Sequence, residues 1–287
     1  MPGAPTISAA LAAAQQPLGR IEARVLLREV LKQTDAYLLA HGDDALTATQ
    51  SQQYAALVAR RVAGEPVAYI TGRREFHGRE FVVNPSVLIP RSETELLVEL
   101  ALQRLPAGAL SRVLDLGAGS GCIGVTIAAE RPQAQVTLVD VSDAALEIAR
   151  ANAAQWAPVN TTLLHSDWYS AVAAECYDLI VTNPPYVAEG DAHLQQGDLR
   201  FEPRTALAAG VNGLSDLRRI IAEAPQHLRA GGWLLLEHGF DQAAACAQLL
   251  AAAELQDIFN APDLAGIPRV SGGRWLQDFP KRALCHD

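Results

Sequence analysis

The chain has 287 residues, enough for two domains of ordinary size. It is 49% hydrophobic and 19% charged, the balance of a protein that folds in water. Its formal net charge of −9 argues against a general affinity for phosphate backbones, which needs Lys and Arg to neutralise phosphates. Cys122, Cys176, Cys246 and Cys285 are scattered without a C-x-x-C pair, no histidine pair has metal spacing, and no stretch reaches the roughly 18 apolar residues of a membrane span. A reducing, cytoplasmic setting is therefore expected, with no metal and no membrane. The first residues have neither the charged start nor the long apolar core of a signal peptide.

Residues 7–72 read as helical throughout. Apolar residues at 21, 25, 26, 27, 30 and 31 recur at helical spacing, Thr34 and Gly42 bracket a short helix, and Thr47 to Ala63 forms another segment, stopped by Gly64-Glu65-Pro66. This predicts a small all-α bundle over residues 1–74, expected to grip a partner for a catalytic domain. Residues 75–90 change character. Aromatic and β-branched residues around His77-Gly78 and Asn84-Pro85 predict a β-hairpin linker. Ser92, with Glu95 three residues on, predicts a capping box opening a helix through about Leu105.

From 91 to 287 the chain reads as one α/β domain. Strands are predicted at 112–116, 135–140, 161–165, 177–182 and 232–237, and helices at 122–130, 143–154 and 214–229. A helix at 241–253 and strands near 255–259 and 268–277 follow. Such alternation implies a doubly wound, mostly parallel seven-stranded sheet, with the two late strands closing an antiparallel edge.

The most informative residues close the strand at 177–182. Asn183-Pro184-Pro185-Tyr186 is poor core but a good clamp for a flat, NH2-bearing group. Proline removes a backbone donor, so the turn offers acceptors: the Asn183 side-chain oxygen and the Pro184 carbonyl. Tyr186 supplies a face for the plane of the bound group. The segment 187–213 is too long for a simple connection and is expected to cover a substrate.

Upstream, Asp115-Leu116-Gly117-Ala118-Gly119-Ser120-Gly121 is a strand entering a glycine-rich turn, whose glycines let a ligand approach the backbone closely. Gly119 to Gly124 also fits G-x-G-x-x-G, a pattern that by itself suits a nicotinamide dinucleotide. Asp115 favours S-adenosylmethionine instead. A carboxylate just before the glycines suits a ligand's ammonium and would repel pyrophosphate, and no hydride-transfer apparatus follows. Asp140 ends the second strand, where a carboxylate can take two ribose hydroxyls. Asp167 is expected to accept from the adenine amino group, with Trp168 beside the ring.

Together, Asp115 to Gly121, Asp140 and Asn183 to Tyr186 resemble a class I S-adenosylmethionine-dependent methyltransferase acting on a planar nitrogen. Ile89-Pro90-Arg91-Ser92-Glu93-Thr94-Glu95, Phe201-Glu202-Pro203 with Ala206-Leu207 and Gly213-Leu214, and Ile267 to Val270 with Gly273-Arg274 resemble the release factor glutamine methyltransferase family across nearly the whole chain. Where that family usually has proline after the arginine of the first block, this chain has Ser92, a feature shared with a sister family that methylates a ribosomal protein. The resemblance implies methyl transfer to the glutamine side-chain nitrogen in the Gly-Gly-Gln loop of peptide chain release factors. It places cofactor contacts at Gly117 to Gly121, Asp140, Trp168 and Asn183, and substrate contacts at Asn183 to Tyr186. A monomer without nucleic-acid binding is expected. Asn183, Pro184 and Tyr186 are the expected catalytic residues. Glu202, Glu237 and His238 are open between structural and functional roles, and no dedicated general base is required. The competing readings are N5-glutamine methylation of a ribosomal protein, an adenine-N6 nucleic-acid methyltransferase, a nicotinamide oxidoreductase and a non-catalytic cofactor-binding module.

Overall fold

The computed structural model describes residues 4–277; Cys285 lies outside the described residues, and the strand expected at 268–277 lies wholly within them. It divides into two compact units, one running up to Arg73 and including Gln196–Phe201, the other formed by the rest.

The first unit is built from α1 (Ile7–Leu18), α2 (Arg20–Leu31), α3 (Asp35–Ala40), α4 (Ala48–Val62) and α5 (Val67–Thr71). Its core is Ile7, Ala23, Leu26, Leu27, Leu38 and Tyr54, apolar faces that a single amphipathic helix could not bury alone. Tyr54 sends its hydroxyl to the Ala23 carbonyl at 2.9 Å, tying α4 to α2. A capping box starts α4: Thr47 Oγ1 accepts from Gln50 N–H at 3.2 Å, and Gln50 Oε1 accepts from Thr47 N–H at 2.8 Å. Arg61 of α4 forks onto Glu22 of α2 at 2.7 and 2.9 Å and also reaches Asp198, which holds the Gln196–Phe201 segment in this unit.

The second unit begins at Arg74, within the hairpin of β1 (Arg73–Phe76) and β2 (Arg79–Val82). Its turn places His77 at φ 49° and Gly78 at φ 74°. Then come α6 (Glu95–Arg104), β3 (Arg112–Leu116), α7 (Cys122–Glu130), β4 (Gln135–Asp140), α8 (Asp143–Trp156), β5 (Thr161–His165), β6 (Tyr177–Thr182), α9 (Ser215–Glu223), β7 (Leu228–Glu237), α10 (Ala243–Ala252), β8 (Gln256–Pro262) and β9 (Pro268–Arg274). The main sheet has seven strands in the order β5-β4-β3-β6-β7-β9-β8. Strands β5 to β7 pair in parallel, while β9 runs antiparallel to both β7 and β8. The fold class is the expected one.

Alternation along the strands builds the two layers. Val113, Val136, Leu138, Leu179, Val181 and Leu235 face one way, onto α6, α7 and α8. Leu114, Leu116, Val139, Ile180, Leu234 and Leu236 face the other, onto α9 and α10. Both faces are covered, which is why these strands read as unbroken apolar runs.

Two local expectations are corrected. Ser92 caps nothing: Ser92–Thr94 is a short 3₁₀ turn, Ser92 Oγ bonds Glu93, and Glu95 Oε1 instead accepts from His77 N–H of the hairpin at 2.9 Å. The helix expected at 214–229 stops at Glu223, because Pro225 turns Ala224–His227 into a 3₁₀ turn and β7 starts at Leu228.

Candidate active site

The strand order reverses around β3, with β4 on one side and β6 on the other, so the loops after these strands part and leave a crevice at their carboxyl ends. A cleft of about 300 Å³ lies there. It gathers Gly117, Ala118, Gly119 and Ser120 after β3, Asp140 at the end of β4, Asp167 and Trp168 after β5, and Asn183 and Pro185 after β6. These residues are far apart in sequence and meet because each follows a parallel strand. Pro184, Tyr186, Gly121 and Asp115 do not line the cleft.

The glycine turn is tightly drawn. Gly117 and Ala118 both donate to the Val139 carbonyl at 2.9 Å, and Gly121 donates to Ala118 at 2.7 Å. Gly119 has φ 55° and nothing within 4 Å of a hypothetical Cβ, so the backbone is bare on its cleft side. Asp140 Oδ2 accepts from Gly119 N–H at 2.8 Å and Oδ1 from Ser142 N–H at 2.8 Å. Each oxygen keeps further acceptor capacity toward the cleft. Gly124, which completes the dinucleotide-like pattern, is a packing residue: a Cβ there would stand 2.8 Å from Asp115 Oδ2 and 2.9 Å from Leu138.

Asp115 differs from its expected place facing an ammonium. It is fully buried, its Oδ2 accepts from Gly124 N–H at 2.8 Å, and its Oδ1 has no partner. Burial pushes its carboxyl up to about 7, against the pull of the Gly124 hydrogen bond. It braces the start of α7 from beneath the turn.

Asp167 lines the cleft, and both of its carboxylate oxygens accept from Arg219 Nη1 of α9, at 2.7 and 2.9 Å, each keeping further acceptor capacity as at Asp140. Arg219 itself lines the cleft. Trp168 sits at φ 50° with its ring against Gly117.

Within the turn after β6, Asn183 Nδ2 donates to Thr94 Oγ1 at 3.2 Å, which leaves Oδ1 as the amide atom available to the cleft. Pro184 is buried, and Tyr186 does not lie open as a platform. Its hydroxyl donates to Glu237 Oε1 at 3.2 Å. Burial raises the carboxyl of Glu237, whose Oε2 has no hydrogen-bond partner, and the Tyr186 hydrogen bond counters that rise. Gln242 staples the turn from behind: Nε2 donates to the carbonyls of Tyr186 and Gly213 at 3.0 and 3.3 Å, while Oε1 accepts from Gly239 N–H at 2.9 Å.

The remaining acidic and imidazole groups have structural partners. Glu202 is buried against Arg91, with Ile89 N–H at 3.4 Å. His238 lies between the Gly239 carbonyl and Ser271 Oγ, each at 2.8 Å. Thr94, Gln242, Arg219 and Asn152 were not legible as site residues, because isolated polar residues carry no spacing signal. Among the described residues no cluster of His, Cys, Asp and Glu could hold a metal ion.

Comparison with known proteins agrees with this architecture. The family described as methyltransferase small domain matches residues 92–199, and that described as PrmC N-terminal domain matches 6–72. The chain is 49% identical over 270 residues to the release factor glutamine methyltransferase of Xylella fastidiosa (strain Temecula1), covering 94% of this chain and 98% of that protein. It is 51% identical over 257 residues to the Bordetella pertussis protein of the same name (89% and 95% covered), and 44% identical over 267 residues to that of Escherichia coli K12 (93% and 95%). Among solved structures, a methyltransferase from Pyrococcus furiosus aligns with TM-score 0.53 at 18% identity, covering 76% of this chain and 98% of that one. The hMettl16 catalytic domain aligns with TM-score 0.56 at 17% identity (83% and 85%). Those two likenesses speak to the fold.

Proposed function

The chain belongs to the release factor glutamine methyltransferase family, and we propose that it methylates the side-chain amide nitrogen of the glutamine in the Gly-Gly-Gln motif of peptide chain release factors, with S-adenosylmethionine as donor. The observation that carries this reading is one continuous cleft joining the bare glycine turn and Asp140 to the Asn183 end of the donor-free bend. The residues fit the cofactor. Gly119 offers open backbone where a ligand can approach, Asp140 has acceptor capacity for two hydroxyls, and Trp168 offers an aromatic wall. Bound there, the cofactor supplies a methyl group activated by a sulfonium.

The protein's part is positioning and electrostatics. Asn183 Oδ1 accepts from the N–H edge of the substrate amide and holds its plane; the Pro184 carbonyl, expected as the second acceptor, does not line the cleft and is assigned no contact. An amide nitrogen is a poor nucleophile whose lone pair is delocalised, and it gains positive charge as its new bond forms. A fixed acceptor then binds the transition state more tightly than the ground state. Holding both reactants in one cleft removes much of the entropic barrier. Tyr186, tethered through its hydroxyl, flanks the bend and gives it a rigid side. Transfer leaves the amide nitrogen methylated and cationic with both its hydrogens, and this strongly acidic cation gives one proton to solvent to yield the neutral N-methyl amide, so no base is assigned.

The helical unit would hold the body of the release factor in a monomer acting in the cytoplasm, and the net charge of −9 accords with a protein that does not bind nucleic acid. No helix among the described residues is long and apolar enough to cross a membrane. The test is direct: incubate the protein with S-adenosylmethionine and a release factor, then map the added methyl by peptide mass spectrometry. Methyl on the motif glutamine supports the reading; an unmodified factor, or a mark elsewhere, overturns it. Asn183→Ala should keep most cofactor affinity and lose roughly 10²–10³ in rate, the typical loss of one oriented partner.

A further inference from the structure

Arg91 lines the cleft on the wall that also carries Thr94, and its guanidinium is anchored from behind. Arg91 Nη2 donates to Glu202 Oε1, and Glu202 Oε2 accepts from Ile89 N–H at 3.4 Å. The Glu202 side chain has no exposure, while that of Arg91 keeps 32%. The buried carboxylate thus holds one corner of the fork and leaves the remainder open to the cleft. The backbone is fixed as well. Arg91 O accepts from Thr94 N–H at 3.2 Å, and Pro90 O accepts from Arg74 Nε at 3.2 Å. Pro203, Thr205 and Ala206, which follow Glu202, line the same cleft.

A guanidinium carries its N–H groups in a rigid plane and has no acceptor. Among the described residues the Arg91 side chain hydrogen-bonds only to Glu202, so its other donors are unspent. What they can take is an acceptor. Glu202 already balances the charge, which lowers the gain from an anion and favours a neutral oxygen. A bound peptide offers two kinds, the glutamine side-chain carbonyl and the backbone carbonyls. A cationic donor on the side-chain oxygen would draw the nitrogen lone pair further into the amide and oppose the reaction. The backbone carries no such conflict, and beside two glycines its carbonyls have no side chain to screen them. We propose that Arg91 is a substrate-binding residue that donates to a backbone carbonyl of the Gly-Gly-Gln loop, with Glu202 as the positioning residue that aims it. The identity of the peptide rests on the methyl-transfer reading.

Arg91→Lys keeps a cation for Glu202 but loses the fork, and Arg91→Gln keeps a donor for Glu202 but loses the charge. In turnover with S-adenosylmethionine and a release factor, each should raise KM for the factor ~10-fold or more, the scale of one hydrogen bond to a charged group. The kcat should stay within about twofold, because a backbone contact is equally strong in ground and transition states. The calorimetric Kd for S-adenosylmethionine should not move, which also shows that each variant is folded. Glu202→Gln should shift KM in the same direction and spare kcat. If one Arg91 variant does not fold, the other decides.

Binding without transfer locates the contact. With S-adenosylhomocysteine bound, the affinity lost in Arg91→Lys should be the same for the natural factor and for one whose motif glutamine is replaced by alanine. A loss that disappears with the alanine factor puts Arg91 on the glutamine side chain and overturns the proposal. Wild-type KM in both Arg91 variants, or a fall in kcat at unchanged KM, overturns it too. A wild type that methylates no release factor fails the proposed function itself, a different result from a working enzyme indifferent to Arg91.

Discussion

Trp168 lays its indole against the backbone of Gly117, so closely that a Cβ added to that glycine would stand 3.2 Å from Cζ3 of the ring. The ring is held there by a local hydrogen bond, Ser166 Oγ to the Trp168 carbonyl at 2.7 Å, and by a left-handed φ of 50° at Trp168. Gly117 has φ 70°, which any side chain would strain. Gly117→Ala should therefore displace the ring, weaken cofactor binding by ~10-fold or more, and lower the melting temperature, because strain and crowding act together. Calorimetric titration with S-adenosylmethionine checks the first effect and a melting curve the second.

Asn152 of α8 reaches three backbone groups at once. Its Nδ2 donates to Val82 O at 3.0 Å and Ser120 O at 2.8 Å, and its Oδ1 accepts from Val82 N–H at 2.7 Å. It ties the hairpin to the glycine turn and is fully buried. Asn152→Leu leaves those groups unpaired, at a cost of about 1–3 kcal/mol for each one left without water. Chemical denaturation should show a loss of several kcal/mol, and cofactor affinity should fall as the turn loosens.

Gln242 and Gly213 support the bend from behind. Gly213 sits at φ 67°, and a Cβ there would fall 2.2 Å from the Tyr186 carbonyl oxygen, backbone that cannot step aside. Gly213→Ala should push the bend off its position and reduce kcat by ~10-fold or more, since a shift of about 1 Å can cost 10²-fold. Gln242→Ala should act more mildly, through loss of the staple. Steady-state kinetics on the release factor ranks the two.

Asp115 makes stability depend on pH in a definite direction. Its folded carboxyl titrates near 7, above the ordinary value of 3.8, because burial disfavours its charge. A raised folded pKa gives stability that is complete below the unfolded pKa and lost as pH rises through the folded one. Wild type should therefore lose stability relative to Asp115→Asn between about pH 4 and 7, with a constant gap above that range. Denaturation midpoints of both proteins at several pH values read the gap directly. A gap that stayed flat would show that Asp115 does not titrate there.

The predicted strands at 112–116, 135–140, 161–165 and 177–182 coincide with β3 to β6. The central strands were legible because a strand buried on both faces must be largely apolar, as in Leu179-Ile180-Val181, whereas the edge strand β5 is only partly buried and reads through its place in the strand–helix alternation. The helix at 214–229 was overextended because Leu228 and the residues beside it suit either state, and only Pro225 and the pairing of Leu228 with Tyr177 decide. The capping box at Ser92 failed for a related reason. Glu95 found a better partner in His77 N–H, a group 18 residues away that no local pattern could weigh.

The candidate site divides in the same way. Glycine, proline and asparagine announce backbone shapes and exposed polar edges locally, so Gly117 to Gly121 and Asn183 to Pro185 could be picked out along the chain. What they cannot announce is which hydrogen bonds each side chain will spend elsewhere. Asp167 gave both oxygens to Arg219, Asp115 went beneath the turn, and Asn183 was turned by Thr94.

From the order of residues alone come the alternation of strands and helices, the donor-free bend and the bare glycine turn, since these depend on properties each residue carries with it. The tertiary structure alone decided the direction of the Asn183 amide and the burial of Asp115. Those depend on which atoms the packing of distant segments brings within about 3 Å, the range over which a hydrogen bond forms.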